Sequence, residues 1–172
     1  MAIVQTSDFT GRYKISTTRF SQLDTYIEKY EKYHLVRMLG KDLYDAFIAD
    51  LTLTTPQTPQ TLRFQNIFNP FDVVPNIDNC LLPSEGIKKM LIQFIYYYYL
   101  CDQSHQNTPV GQVVNQNENS VNTPYNGYNL IDVYNEGVKS YINIQEYVNA
   151  NIVDYPEYND GTSICLNYTS GY

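Results

Sequence analysis

The sequence predicts a small all-α protein: a four-helix bundle with long extended loops and an extended C-terminal tail. Apolar residues recur at three- and four-residue spacing, which is typical of amphipathic helices. Prolines cluster between the helical segments, and 172 residues correspond to about one domain, large enough to bury a core. We therefore expect a single helical domain over residues 1–154, followed by an extended tail over 155–172.

The first predicted helix covers residues 18–39. Its buried stripe is Phe20, Leu23, Ile27, Tyr30, His34 and Met38. Gly40 can adopt the left-handed conformation that ends a helix, and a second short helix is predicted over 41–51. Because one glycine joins the two helices, we expect a helical corner here.

Residues 52–83 contain five of the eight prolines, so we predict a long proline-rich loop. The loop carries Phe64, Phe68 and Phe71, and a loop this apolar should pack either on its own bundle or on a neighbouring subunit. Aromatic side chains often dominate interface energetics, so these three residues are candidate interface anchors.

The third and fourth helices are predicted over 85–107 and 130–152. The third is apolar nearly all round, which is typical of a central helix or of one with a second face buried in an oligomer. Between them, residues 108–129 form a polar loop compatible with a short β-hairpin, in which Val113 and Val114 are interface candidates. Gly137 inside the fourth helix predicts a close approach by a neighbouring element.

We expect the core to be drawn from all four helices: Leu23, Ile27, Leu39, Phe47, Met90, Leu91, Phe94, Val138 and Tyr141. The tail contains a β-prone segment, which is either a frayed terminus or a strand that adds to a sheet edge in a partner. Its interface candidates are Ile164, Cys165, Leu166 and Tyr168.

The composition excludes several classes of protein. The net charge is −7, and residues 91–172 carry Lys139 alone against eight acids, which argues against ordinary duplex DNA binding. The longest apolar run, 91–100, is far shorter than the ~20 residues that span a bilayer, so no membrane association is expected. Three cysteines without a CxxC pair or a secretory signal predict reduced thiols in the cytoplasm.

No residue pattern predicts catalysis or a bound cofactor. His34 lies on an apolar stripe, where a core or interface histidine is expected. Cys101 and His105 could share a helix face, but a zinc site needs three or four ligands and no second cluster exists. The acidic pairs Asp24–Glu28 and Asp42–Asp45 are expected on solvated faces, and no nucleophile elbow or phosphate-binding loop occurs. We predict that the protein is not an enzyme and binds no metal.

Three segments resemble the head–tail connector proteins of tailed phages, in particular the adaptor or ring proteins of crAss-like and related Bacteroidetes phages. The first is YIEKYEKY at 26–33, followed by Leu35 and MLGKDLY at 38–44. The second is KML at 89–91 with FIYY at 94–97, Asp102 and TPVG at 108–111. The third is YNEGV at 134–138 with Tyr141 and Tyr147.

The resemblance implies a helical subunit of a homo-oligomeric ring, typically of 12 copies, at the head–tail junction of the virion. Such a ring docks on the portal protein, contacts other neck or tail proteins and lets DNA pass without sequence-specific binding. The subunit would be made in the host cytoplasm. Two alternatives stay open: a neck or tail-completion protein that binds tail proteins rather than the portal, and a small cytoplasmic protein-binding module.

Overall fold

The helices of the computed structural model dominate the part of the chain that it describes, namely residues 3–15, 20–53, 56–73, 81–108, 111–114, 127–159 and 161–164. They are α1 (Phe20–Asp50), α2 (Leu62–Phe68), α3 (Gly86–Ser104) and α4 (Gly127–Ala150). Two short 3-10 turns precede them at Thr6–Asp8 and Gly11–Tyr13. The predicted all-α class is confirmed.

Two small antiparallel pairs of strands accompany the helices. Strand β1 (Phe71–Val73) pairs with β2 (Leu82–Ser84). Strand β3 (His105–Thr108) pairs with β4 (Gly111–Val114), so that Thr108 lies opposite Gly111 at the closed end of this hairpin. The first pair packs on α4 through β2, and the second continues directly from the end of α3.

Gly40 interrupts α1. Its φ of 73° and ψ of 167° lie outside the helical region, while the residues on both sides are helical. Glycine adopts positive φ without the Cβ clash that other residues suffer. The break that the sequence predicts between residues 39 and 41 is therefore confirmed.

The core lies around α3, which packs on α1, α2 and α4. All nine core residues predicted from the sequence are buried, with at most 3% of each residue exposed. The observed C-terminal end of α3 differs slightly from the predicted one: the helix ends at Ser104 and β3 begins at His105, whereas the sequence predicted helix to residue 107. The predicted close approach at Gly137 is confirmed, since this residue lies against the ring of Phe94.

The proline-rich segment is more ordered than the sequence predicts. Helix α2 forms between Pro59 and Pro70, in a stretch free of proline, and it buries Phe64, Ile67 and Phe68. A bridge between Leu51 and Pro59 closes the loop that leads into it. The expectation of an extended loop through 52–83 missed this seven-residue helix, because burial of three apolar side chains stabilises it despite its short length.

The N-terminal segment, for which the sequence offers no periodic signal, packs into the core. Ile3 and Val4 are fully buried. Their backbone N–H groups donate to the buried carboxylate of Glu31 in α1, at 3.0 and 3.1 Å from Oε2. Glu31 therefore satisfies two buried donors and fixes the start of the described chain to the bundle.

The described residues after α4, namely 151–159 and 161–164, also contact the bundle on the C-terminal side of the boundary predicted at residue 154. Tyr155 and Tyr158 are buried. The N–H of Thr162 donates to the carbonyl of Arg37 at 2.6 Å, and the Tyr141 hydroxyl donates to the carbonyl of Thr162 at 2.7 Å. Long-range contacts of this kind cannot be read from local periodicity.

Candidate interaction surfaces

Stacked rings fill the space between α1 and α3. The rings of Tyr30 and Tyr98 lie parallel with centroids 4.1 Å apart, and those of His34 and Phe94 lie 4.0 Å apart. Burial lowers the pKa of His34 to about 3, so the imidazole is neutral near pH 7. Its Nε2 has no hydrogen-bond partner among the described residues. His34 is a core residue, as the sequence predicts.

Tyrosine hydroxyls link separate elements of the fold. Tyr26 in α1 donates to Asp102 in α3 at 2.9 Å, and Tyr155 donates to the carbonyl of Arg63 at 2.5 Å. Burial, together with the hydrogen bond to Asp102, raises the pKa of Tyr26 to about 12. The rings of these tyrosines pack against the fold and their hydroxyls are hydrogen-bonded. We therefore assign them a structural role rather than the stacking of a ligand.

Two of the predicted interface anchors belong to the core of the chain itself. Phe64 is 1% exposed and packs edge-on against Phe47, with ring centroids 5.4 Å apart. Phe68 is buried as well, and Phe71 is half-buried against Tyr147. Phe64 and Phe68 therefore cannot offer their rings to a partner, and their assignment to an interface is corrected.

The structure describes three of the other six predicted interface residues. Val113 and Val114 are on β4, where their Cα atoms lie opposite those of Gln106 and His105. Ile164 is half-buried and lines a groove along α4 together with Ile142 and Tyr158. It is not part of a strand. The remaining three, Cys165, Leu166 and Tyr168, are outside the described residues.

The sequence did not predict a cleft of about 610 Å³ between the β1–β2 pair and helices α3 and α4. Buried Gln93 donates through Nε2 to Glu85 Oε2 at 2.6 Å and to Glu136 Oε2 at 3.4 Å. Glu136 also forms an ion pair with Arg12 at 2.8 Å. Lys89 in α3 also lies over the Tyr13 ring. The Arg12–Glu136 and Lys89–Tyr13 contacts together connect the N-terminal segment with α3 and α4.

Cys101 lies in α3 and His105 lies beyond its end, at the first position of β3, so the two residues do not belong to one helix. Among the described residues, no group of three His, Cys, Asp or Glu side chains could hold a metal ion. Burial raises the pKa of the Cys101 thiol, which favours its protonated form.

Four exposed apolar residues lie near the ends of α1 and α4 and at the start of α2, and we call them the apolar end patch: Leu53, Leu62, Ile152 and Val153. These residues are 88%, 72%, 44% and 89% exposed. Hydrogen bonds bring the three segments together: the N–H of Thr61 donates to Asp50 Oδ2 at 3.0 Å, and Arg63 donates to the carbonyl of Asp154 at 3.0 Å. Isolated apolar residues on a surface are common, whereas several on neighbouring segments make a candidate interaction surface.

A basic–aromatic row lies on the exposed face of α1 before Gly40, and consists of Lys29, Lys32, Tyr33 and Arg37. Tyr33 is 45% exposed. The guanidinium of Arg37 donates to the Tyr33 hydroxyl at 2.6 Å and lies 5.0 Å from its ring centroid. The four-residue spacing of Lys29, Tyr33 and Arg37 could have indicated this row from the sequence, since these positions share one helix face.

None of the helices in the described ranges is long and apolar enough to cross a membrane. Comparisons with protein-family models, with curated proteins and with solved structures found no match. Function is therefore inferred from the surfaces of this chain.

Proposed function

We propose that this protein is a structural subunit of a tailed-phage virion, one copy in the ring of a head–tail adaptor. The ring docks on the portal, joins the capsid to the tail and lets DNA pass. The observation that carries the proposal is the β3–β4 hairpin, which continues from the end of the central helix α3. The largest contacts of the hairpin are between its two strands and with α3.

A hairpin of four-residue strands is at best marginally stable by itself in water. Its two edges carry backbone N–H and C=O groups that can pair with a further strand. Strand addition by a partner satisfies these groups and supplies affinity, while alternate side chains supply fit. A hairpin at the end of a rigid core helix is thus suited to docking on a larger assembly.

The charge distribution agrees with a ring through which DNA moves. Residues 91–172 contain one lysine and eight acids, and this half includes α4 and most of α3. Because like charge repels the phosphate backbone, such a surface lets DNA pass without holding it.

The experiment that tests the proposal uses particles of the phage whose genome encodes this chain. Mass spectrometry of purified virions should detect the protein, and electron microscopy with a bound antibody fragment should place it at the head–tail junction. A variant in which residues 105–114 are replaced by a Gly–Ser linker of equal length should keep its helical circular dichroism and be missing from particles. Leu81→Ser, at an exposed position outside the hairpin, is the control and should be incorporated normally.

Absence of the wild-type chain from virions would contradict the proposal, and so would normal incorporation of the hairpin variant. A chain that is present in virions but binds tail proteins and not the portal would support the neck or tail-completion alternative. A stable monomer that ignores the portal and is absent from particles would identify a small protein-binding module.

A further inference from the structure

We infer that the apolar end patch of one copy docks on the basic–aromatic row of the next copy. This inference rests on the proposed ring, because it names the surfaces through which neighbouring subunits meet. The occupant of each surface is thus a second copy of this chain. Two features support the pairing: the charges of the two surfaces and their separate positions on the molecule.

The end patch has an acidic rim. Asp50, Asp154 and Glu157 border it, and Arg63 is the basic residue among them. Arg63 lies over the Phe64 ring and forms an ion pair with Glu157 at 2.8 Å, so these two charges offset each other and Asp50 and Asp154 give the rim its excess negative charge. The carboxylate of Asp154 is left exposed beside the apolar side chains. The patch therefore suits a partner surface that is both apolar and basic.

The basic–aromatic row has that character. It presents three basic side chains around the exposed ring of Tyr33, and Glu28, one turn before Lys32, is a carboxylate next to it. Tyrosine and arginine are enriched at the centres of protein interfaces. Complementary charge around an apolar centre directs the two surfaces together and selects against like-charged partners.

The two surfaces lie on different parts of the subunit. The row is on α1 before the break at Gly40, and the end patch begins beyond Asp50, the last residue of α1. A contact between two different surfaces is head-to-tail, and it closes into a ring when the rotation from one subunit to the next returns to the first after a whole number of copies. A face-to-face contact of identical surfaces would stop at a dimer instead.

Sedimentation velocity tests this pairing with the purified full chain at about 10–300 µM in 50 mM salt. The wild-type chain should form species larger than a dimer as its concentration rises, and 500 mM salt should weaken the association, because salt screens charges between exposed surfaces. Val153→Asp in the end patch and Lys29→Glu/Arg37→Glu in the row should each give a monomer. Leu81→Asp and Lys14→Glu, at exposed positions that belong to neither surface, are the matched controls and should behave as the wild type.

Mixing the two variants gives a sharper readout. Each retains one intact surface, so the intact patch of the row variant can bind the intact row of the patch variant. The mixture should form dimers and nothing larger. A wild-type monomer at the highest concentration would overturn the inference, as would patch or row variants that still associate, or a mixture that stays monomeric. If Val153→Asp blocks incorporation into particles while the wild type never self-associates, the patch binds a different protein, the inference fails and the proposed virion role stands.

Discussion

Gly137 in α4 lies directly against the ring of Phe94 in α3: a Cβ at position 137 would be 3.2 Å from Phe94 Cε1. The ring is held from several sides. His34 stacks on it with a centroid distance of 4.0 Å, and Tyr134 packs edge-on at 5.4 Å. This contact between α3 and α4 thus depends on the absence of a side chain at position 137.

Gly137→Ala should destabilise the protein by about 1 kcal/mol. Alanine gains about 1 kcal/mol over glycine in helix propensity, but overpacking a fixed ring costs about 1–3 kcal/mol. Urea unfolding measures the change. In a Phe94→Leu background, which removes the ring, the same substitution should be neutral or stabilising. A more stable Gly137→Ala chain in the wild-type background would show that the ring moves freely.

Glu31 should make the stability fall as the pH rises through the raised pKa of its carboxyl group. Burial raises the pKa of Glu31, and the N–H groups of Val4 and Ile3 offset part of that rise. The folded chain then binds the proton more tightly than the unfolded chain. The stability gained from this group is complete below the ordinary carboxyl pKa and is lost as the pH rises through the raised value.

Glu31→Gln removes this titration, so the free energy of unfolding of the variant, relative to wild type, should increase between pH 4 and pH 7. Glu31→Ala is the comparison: it leaves two buried N–H groups without an acceptor, and each should cost about 1–3 kcal/mol at every pH. Urea unfolding across this pH range measures both. If the wild-type chain instead became more stable relative to Glu31→Gln as the pH rises, the hydrogen bonds to the Glu31 carboxylate would lower its pKa by more than burial raises it.

Phe64→Ser should cost about 3–5 kcal/mol, because it empties a core site in contact with Phe47 and Tyr155. Leu62→Ser, two residues earlier in α2 and exposed, should change stability by less than about 0.5 kcal/mol. Chemical denaturation at low micromolar concentration compares the two without a contribution from self-association. Equal effects would place Phe64 at the surface and restore it as an interface candidate.

The sequence by itself determined helices α1, α3 and α4, the break in α1 and the central core, but not the short helix α2. Spacings such as Leu23–Ile27 and Val138–Tyr141 follow from the 3.6-residue period of one helix, and Gly40 needs only its own backbone freedom to interrupt α1. These are local properties, so no knowledge of distant residues was required.

Only the tertiary structure decided which surfaces remain free. The aromatic residue Phe64 suited an intramolecular core as well as an interface, and the choice depended on whether α1 and Tyr155 come near it. Ile3 and Val4 carry no periodic signal, yet both are buried, and their N–H groups donate to Glu31, which is 28 and 27 residues away. Burial depends on contacts between residues far apart in the chain, whereas periodicity reports only on neighbours within one element.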